Sequence, residues 1–81
     1  EYVEYEQLIE KVMRIIENMP QQTATVLKKC FIERKKYQEA GDELGISINT
    51  VRWHITKAIS ILREKMSDIE MVLLYAYFLK K

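Results

Sequence analysis

Gly45-Ile46-Ser47 is the feature that most limits what this chain can fold into. Residues 38–44 read as a short helix, and Gly45 can take the left-handed conformation that ends one. Ile46 is an apolar plug. The hydroxyl of Ser47 can accept from the open amides of a new first turn and so begin a second helix. Two short helices on so tight a turn, the second presented outward, are the sequence form of a helix-turn-helix. Residues 37–57, YQEAGDELGISINTVRWHITK, are therefore the stretch around which the rest must be arranged.

The remaining chain has little punctuation. Two glycines and one proline in 81 residues predict long helices on short connections. Over residues 4–19 the apolar positions Tyr5, Leu8, Ile9, Val12, Met13, Ile15, Ile16 and Met19 recur at helical spacing on one broad face. Pro20 closes that helix and is expected to occupy the first position of the next. The second helix carries Ala24, Val26, Leu27, Cys30, Phe31 and Ile32 to a charged end, Glu33-Arg34-Lys35-Lys36. In the first motif helix Ala40 and Leu44 are expected to face the core. Gly41, at a cost of about 1 kcal/mol relative to alanine, marks a close helix crossing.

The second motif helix divides cleanly when its residues are placed 100° apart. Ile48, Val51, Ile55, Ala58, Ile59, Leu62 and Met66 gather on one arc as the core side. Asn49, Trp53, Lys57 and Ser60 lie opposite, flanked by Arg52, Thr50 and Thr56. Such an exposed face has the chemistry of base recognition: Arg forks onto guanine, Asn onto adenine, and Thr or an aromatic meets a thymine methyl. Trp53 is expected either there or packed against the tail. His54 flanks the core side, as a structural residue or a phosphate contact; with no Cys, Asp or Glu at ligand spacing it is no metal site. Cys30 lacks a base or a metal partner and reads as a buried structural thiol.

Net charge is only +1, but it is unevenly placed. Residues 19–37 are net +4 and residues 48–67 net +3, with acidic stretches before and between them. Positive charge thus concentrates before the motif and on its second helix, where a phosphate backbone would lie. Lys35 and Lys36 are the candidate backbone contacts before the motif. One cysteine excludes an internal disulfide and fits a reducing cytoplasm. No nucleophile–base pair, metal cluster or phosphate-binding glycine loop is visible, so neither catalysis nor a cofactor is expected.

The helix should continue to about Lys65 or Ser67. Residues 68–81, DIEMVLLYAYFLKK, are then apolar nearly all round, from Ile69 through Val72, Tyr75 and Tyr77 to Phe78 and Leu79. They are too short to span a bilayer. Such a segment is expected to be buried on several faces, against the first helix or in a homo-oligomer through residues 69–81. The expected architecture is all-α: a four-helix domain with a helix-turn-helix over residues 1–67, and an apolar helical tail over 68–81. Opening on Glu1 without a methionine, the chain is expected to be part of a longer protein.

Several pieces fall in one register over residues 5–67: Met19-Pro20, Val26-Leu27, Phe31-Ile32-Glu33, Tyr37-Gln38-Glu39, Glu43-Leu44-Gly45-Ile46-Ser47, Asn49-Thr50-Val51 and Leu62-Arg63-Glu64-Lys65. Together they resemble region 4, the C-terminal DNA-binding domain of bacterial extracytoplasmic-function sigma factors. The resemblance implies that the long helix docks in the major groove of the −35 promoter element. It places Arg52, Trp53, Thr56 and Lys57 where the family reads bases, and Tyr37, Gln38 and Thr50 where it holds the backbone or groove edge. Asn49, at the start of the same helix, joins the expected backbone set with Lys35 and Lys36. The implied partners are double-stranded promoter DNA, the β-flap tip of RNA polymerase and often an anti-sigma factor. Two departures stand out. Arg34 replaces the usual glycine, so that helix is expected to end without a left-handed residue. Ala40-Gly41 replaces Ile-Ala, thinning the core under the motif. The alternatives are the DNA-binding domain of a two-component or quorum-sensing response regulator, which ends sooner after its recognition helix, and a helical protein-interaction module.

Overall fold

The computed structural model describes residues 4–79, with side chains as far as Tyr77. The ends of the expected domain and tail, residues 1–3 and 80–81 with the side chains of Phe78 and Leu79, lie outside the described residues. The described residues are all-α: α1 Tyr5–Glu17, α2 Gln21–Leu27, a π-helical segment Lys28–Ile32, α3 Tyr37–Leu44, α4 Ile48–Lys65 and α5 Asp68–Leu79. Among them no helix is long and apolar enough to cross a membrane.

One core joins all five helices. Leu8, Val12 and Ile16 of α1 meet Val26 and Leu27 of α2 and Val51, Ile55, Ala58 and Leu62 of α4 in a single buried cluster. Full burial of such side chains is worth about 1.5–3 kcal/mol each. The expected inner arc of α4 holds for Val51, Ile55, Ala58, Leu62 and Met66, while Ile48 and Ile59 are half-buried at its edges. Ala40 is fully buried and Leu44 half-buried. Among the described residues, polar side-chain atoms enter this core only in partnership. Thr23 Oγ1 and His54 Nδ1 share a buried hydrogen bond of 2.9 Å across α2 and α4, which makes His54 structural.

Helix ends follow local chemistry. Pro20 stands one position earlier than expected: its φ of −52° and ψ of 140° make it the flanking residue, and its carbonyl accepts from Ala24 N–H at 2.9 Å. After Leu27 the hydrogen bonding widens, with Glu33 N–H donating to the Lys28 carbonyl. Arg34 corrects the expectation drawn from its missing glycine, because it adopts the left-handed conformation itself, at φ 61°. That conformation turns Lys35 N–H back onto the Lys29 carbonyl at 3.0 Å, so a carbonyl at the helix end gains a donor. The strain of a side chain there, about 1–2 kcal/mol, is accepted for that closure.

The tail departs from expectation in its packing. It folds back onto α1 and the end of α4, yet among its described side chains only Met71 and Leu74 are buried, while Ile69, Val72, Tyr75 and Tyr77 stay exposed. The neighbours offer it one stripe of apolar surface rather than an enclosing pocket. Its start is fixed by a reciprocal cap: Ser67 N–H donates to Glu70 Oε1 at 2.8 Å and Glu70 N–H to Ser67 Oγ at 3.2 Å. Glu70 also receives Lys11 of α1 at 3.0 and 3.1 Å. Arg63 of α4 donates to the Tyr75 hydroxyl at 3.2 Å, and the Tyr5 and Tyr77 rings lie 6.2 Å apart.

Two tests follow from these bonds. Thr23→Val should cost about 1–3 kcal/mol in urea unfolding by stranding the buried imidazole, and an unchanged midpoint would deny the bond that weight. The Ser67 amide, then Lys11, holds the Glu70 carboxyl below the ordinary carboxylate range. Its stabilisation of α5 is therefore fully present above the ordinary value and lost as pH falls through the lowered one. Amide exchange of α5 should accelerate across that acid window in the parent chain, and Glu70→Gln should flatten the dependence.

Candidate nucleic-acid interface

The turn that aims the second motif helix is built as its residues require. Gly45 closes α3 at φ 70° and ψ 32°. Ile46 N–H then bonds the Gly41 carbonyl at 2.9 Å. Gly41 is needed for this return: a Cβ there would lie 2.7 Å from the Ile46 carbonyl oxygen and 3.5 Å from Val51 Cγ2. The close approach is thus mainly of the turn backbone onto α3, and only secondarily of α4. Ser47 caps α4 through Thr50 N–H at 3.1 Å, and the Ser47 and Thr50 hydroxyls share a 3.0 Å bond.

With its inner arc buried, α4 presents Asn49, Arg52, Trp53, Thr56 and Lys57 to solvent. Trp53 is 58% exposed, so it does not pack against the tail. Its ring centroid lies 4.9 Å from that of His54, the two rings nearly perpendicular, and Lys57 Nζ lies 5.3 Å from the Trp53 centroid. An ammonium over a tryptophan face is attracted by the ring quadrupole, which draws Lys57 and Trp53 into one unit. Arg52 Nη1 donates to Asn49 Oδ1 at 3.3 Å, a long bond between exposed groups that a base edge can replace. The four base-reading candidates, Arg52, Trp53, Thr56 and Lys57, therefore share one exposed face.

The backbone candidates are less uniform. Gln38 and Lys36 are exposed at the start of α3, where Lys36 N–H is accepted by Glu39 Oε1 at 2.9 Å. Gln38 donates to Asp42 at 3.1 Å. Tyr37 is half-buried; burial, with help from Cys30, raises its hydroxyl above the ordinary range, and nearby Arg52 opposes this. Thr50 is half-buried and engaged with Ser47. Lys35 is ion-paired, its Nζ 2.9 Å from Glu43 Oε2, and the other oxygen of Glu43 takes Lys29 at 2.9 Å. Neither Lys29 nor Glu43 stands out in the sequence, because the pairing joins three elements with no short-range spacing.

Cys30 is buried, and burial pushes its thiol above the ordinary range, away from reactivity. Among the described residues no group of His, Cys, Asp or Glu is placed to hold a metal ion. Away from the reading face, Ile9, Met13, Phe31 and Ile32 line an open apolar cleft of about 350 Å³ between α1 and the π-helical segment, with Arg34 and Tyr77 also at its wall.

No curated protein matches the chain, and no solved structure does. The family model described as Sigma-70, region 4 matches residues 9–62, from within α1 to near the end of α4. On that match and on the helix-turn-helix geometry beneath it, this chain belongs to the sigma-70 region 4 family.

Proposed function

We propose that this domain reads the −35 promoter element as the C-terminal domain of an alternative sigma factor of the extracytoplasmic-function type, directing RNA polymerase to its promoters. A sigma-70 region 4 domain is a DNA-binding part of a sigma factor and not a catalytic one. One observation carries the finer reading. The face of α4 opposite the core gathers Arg52, Trp53, Thr56 and Lys57 in the open, on a helix whose inner side is buried in the common core. In this reading Arg52 and Lys57 specify bases, with Trp53 and Thr56 against them. Lys35, Lys36, Tyr37, Gln38, Asn49 and Thr50 hold the backbone or groove edge.

The protein partners belong to the same proposal. RNA polymerase would contact the domain through its flap tip, and an anti-sigma factor is a further partner type the family suggests. We assign the flap-tip contact to the apolar cleft between α1 and the π-helical segment, because it is apolar, open and lined by no residue of α4.

Duplex binding by the 81-residue chain should weaken steeply as salt rises, since phosphate contacts release counterions. Arg52→Ala should relax discrimination at one base position by about 1–3 kcal/mol, read by competition among single-base variants of the bound duplex. A uniform loss over all sequences would instead make Arg52 a backbone contact. Ile32 is 49% exposed, so Ile32→Asp should leave the fold and duplex binding intact. It should lower polymerase-dependent promoter binding, and equal recruitment by parent and variant would remove the cleft from the contact.

A further inference from the structure

Lys29, Lys35 and Glu43 come from the π-helical segment, the connection after it and α3, and converge on one carboxylate. The two oxygens of Glu43 are divided between them, each 2.9 Å from one ammonium. Glu33 reaches Lys29 more loosely, at 4.0 Å. All three principal side chains keep solvent contact, at 21%, 34% and 39% of their surface. Partly exposed pairs of this kind are screened by solvent and add only modestly to stability, which leaves room for a second role. Two ammonium groups on two oxygens of a single anion is also how a pair of lysines would take a phosphodiester. Moreover, the segment leads directly into α3, which packs against α4.

We propose that Glu43 stands in for a DNA phosphate in the unbound domain, holding Lys29 and Lys35 together and competing with the backbone for them. This deepens the promoter-binding reading and rests on it. The carboxylate must release its lysines when a duplex arrives, and it then faces the incoming phosphates with like charge. Both effects lower affinity for every duplex by a similar factor and leave the base contacts of α4 untouched. Glu43 is thereby an affinity-setting residue: it weakens backbone binding on every duplex alike and leaves the ratio between sequences to the base contacts. The lysines remain gathered against α3, with the side-chain ordering already done before DNA binds.

The test compares the parent chain with Glu43→Gln and with Glu17→Gln, which removes one charge from an exposed position on α1. Binding to a random-sequence duplex is measured by anisotropy across a salt series, and retention on immobilised heparin is measured in parallel. Glu43→Gln should bind the random duplex roughly five- to tenfold more tightly at 0.1 M salt, and its log–log salt slope should steepen by about one. It should also leave heparin at higher salt, and adding Lys29→Gln and Lys35→Gln should cancel both gains. Unchanged or weaker binding by Glu43→Gln on both polyanions would overturn the proposal, as would an equal gain by Glu17→Gln, which would reduce the effect to bulk charge. A heparin gain with no duplex binding by either chain would support the lysine restraint and sink the promoter reading instead.

Discussion

The seating of α4 on α2 is the constraint on which the other surfaces depend. A recognition helix works only if its rotation about its own axis is fixed, since 100° separates neighbouring side chains. Here that rotation is set twice. Val51, Ile55, Ala58 and Leu62 leave almost no surface exposed in the common core, and the Thr23–His54 bond adds a directional pin across the same interface. Apolar burial resists separation but tolerates small rotations; a hydrogen bond between buried groups does not. The exposed face of α4 is therefore positioned by its hidden one.

The same logic makes the C-terminal helix more than an appendage. Through Glu70 it is tied to α1, and through Tyr75 to α4. It thus braces the far end of the reading helix against the first element of the chain. Among its described side chains α5 buries only Met71 and Leu74, so these polar ties orient a helix that rests on little apolar surface.

Much of this was legible in the residues, wherever the relevant forces act over a few positions. Gly45 and Ser47 are local signals, and the turn formed as they require, with φ 70° at the glycine and a capped helix after it. Periodicity assigned the faces of α4 because one side of a helix must pay for its ordering by burial. The Ser67–Glu70 cap was equally open to reading, as a serine three residues before a glutamate. Three features were not. The left-handed Arg34 depends on which carbonyl needs a donor after the hydrogen bonds widen, and no residue type announces that. The tail's one-sided packing depends on how much apolar surface α1 and α4 leave uncovered. The Glu43 pairing depends on three elements meeting in space, which charge counting along the chain cannot supply.

The π-helical segment Lys28–Ile32 adds a geometric consequence. Hydrogen bonds that skip one extra residue give the turn one more residue than an α-helix of equal height would hold. Relative to a regular continuation, everything after it is offset by about 100° around the axis of α2. Arg34 and the connection to α3 inherit that offset. The wide turn therefore acts as an angular spacer: it determines which side of α2 the chain leaves from, and so where the basic connection emerges relative to α4.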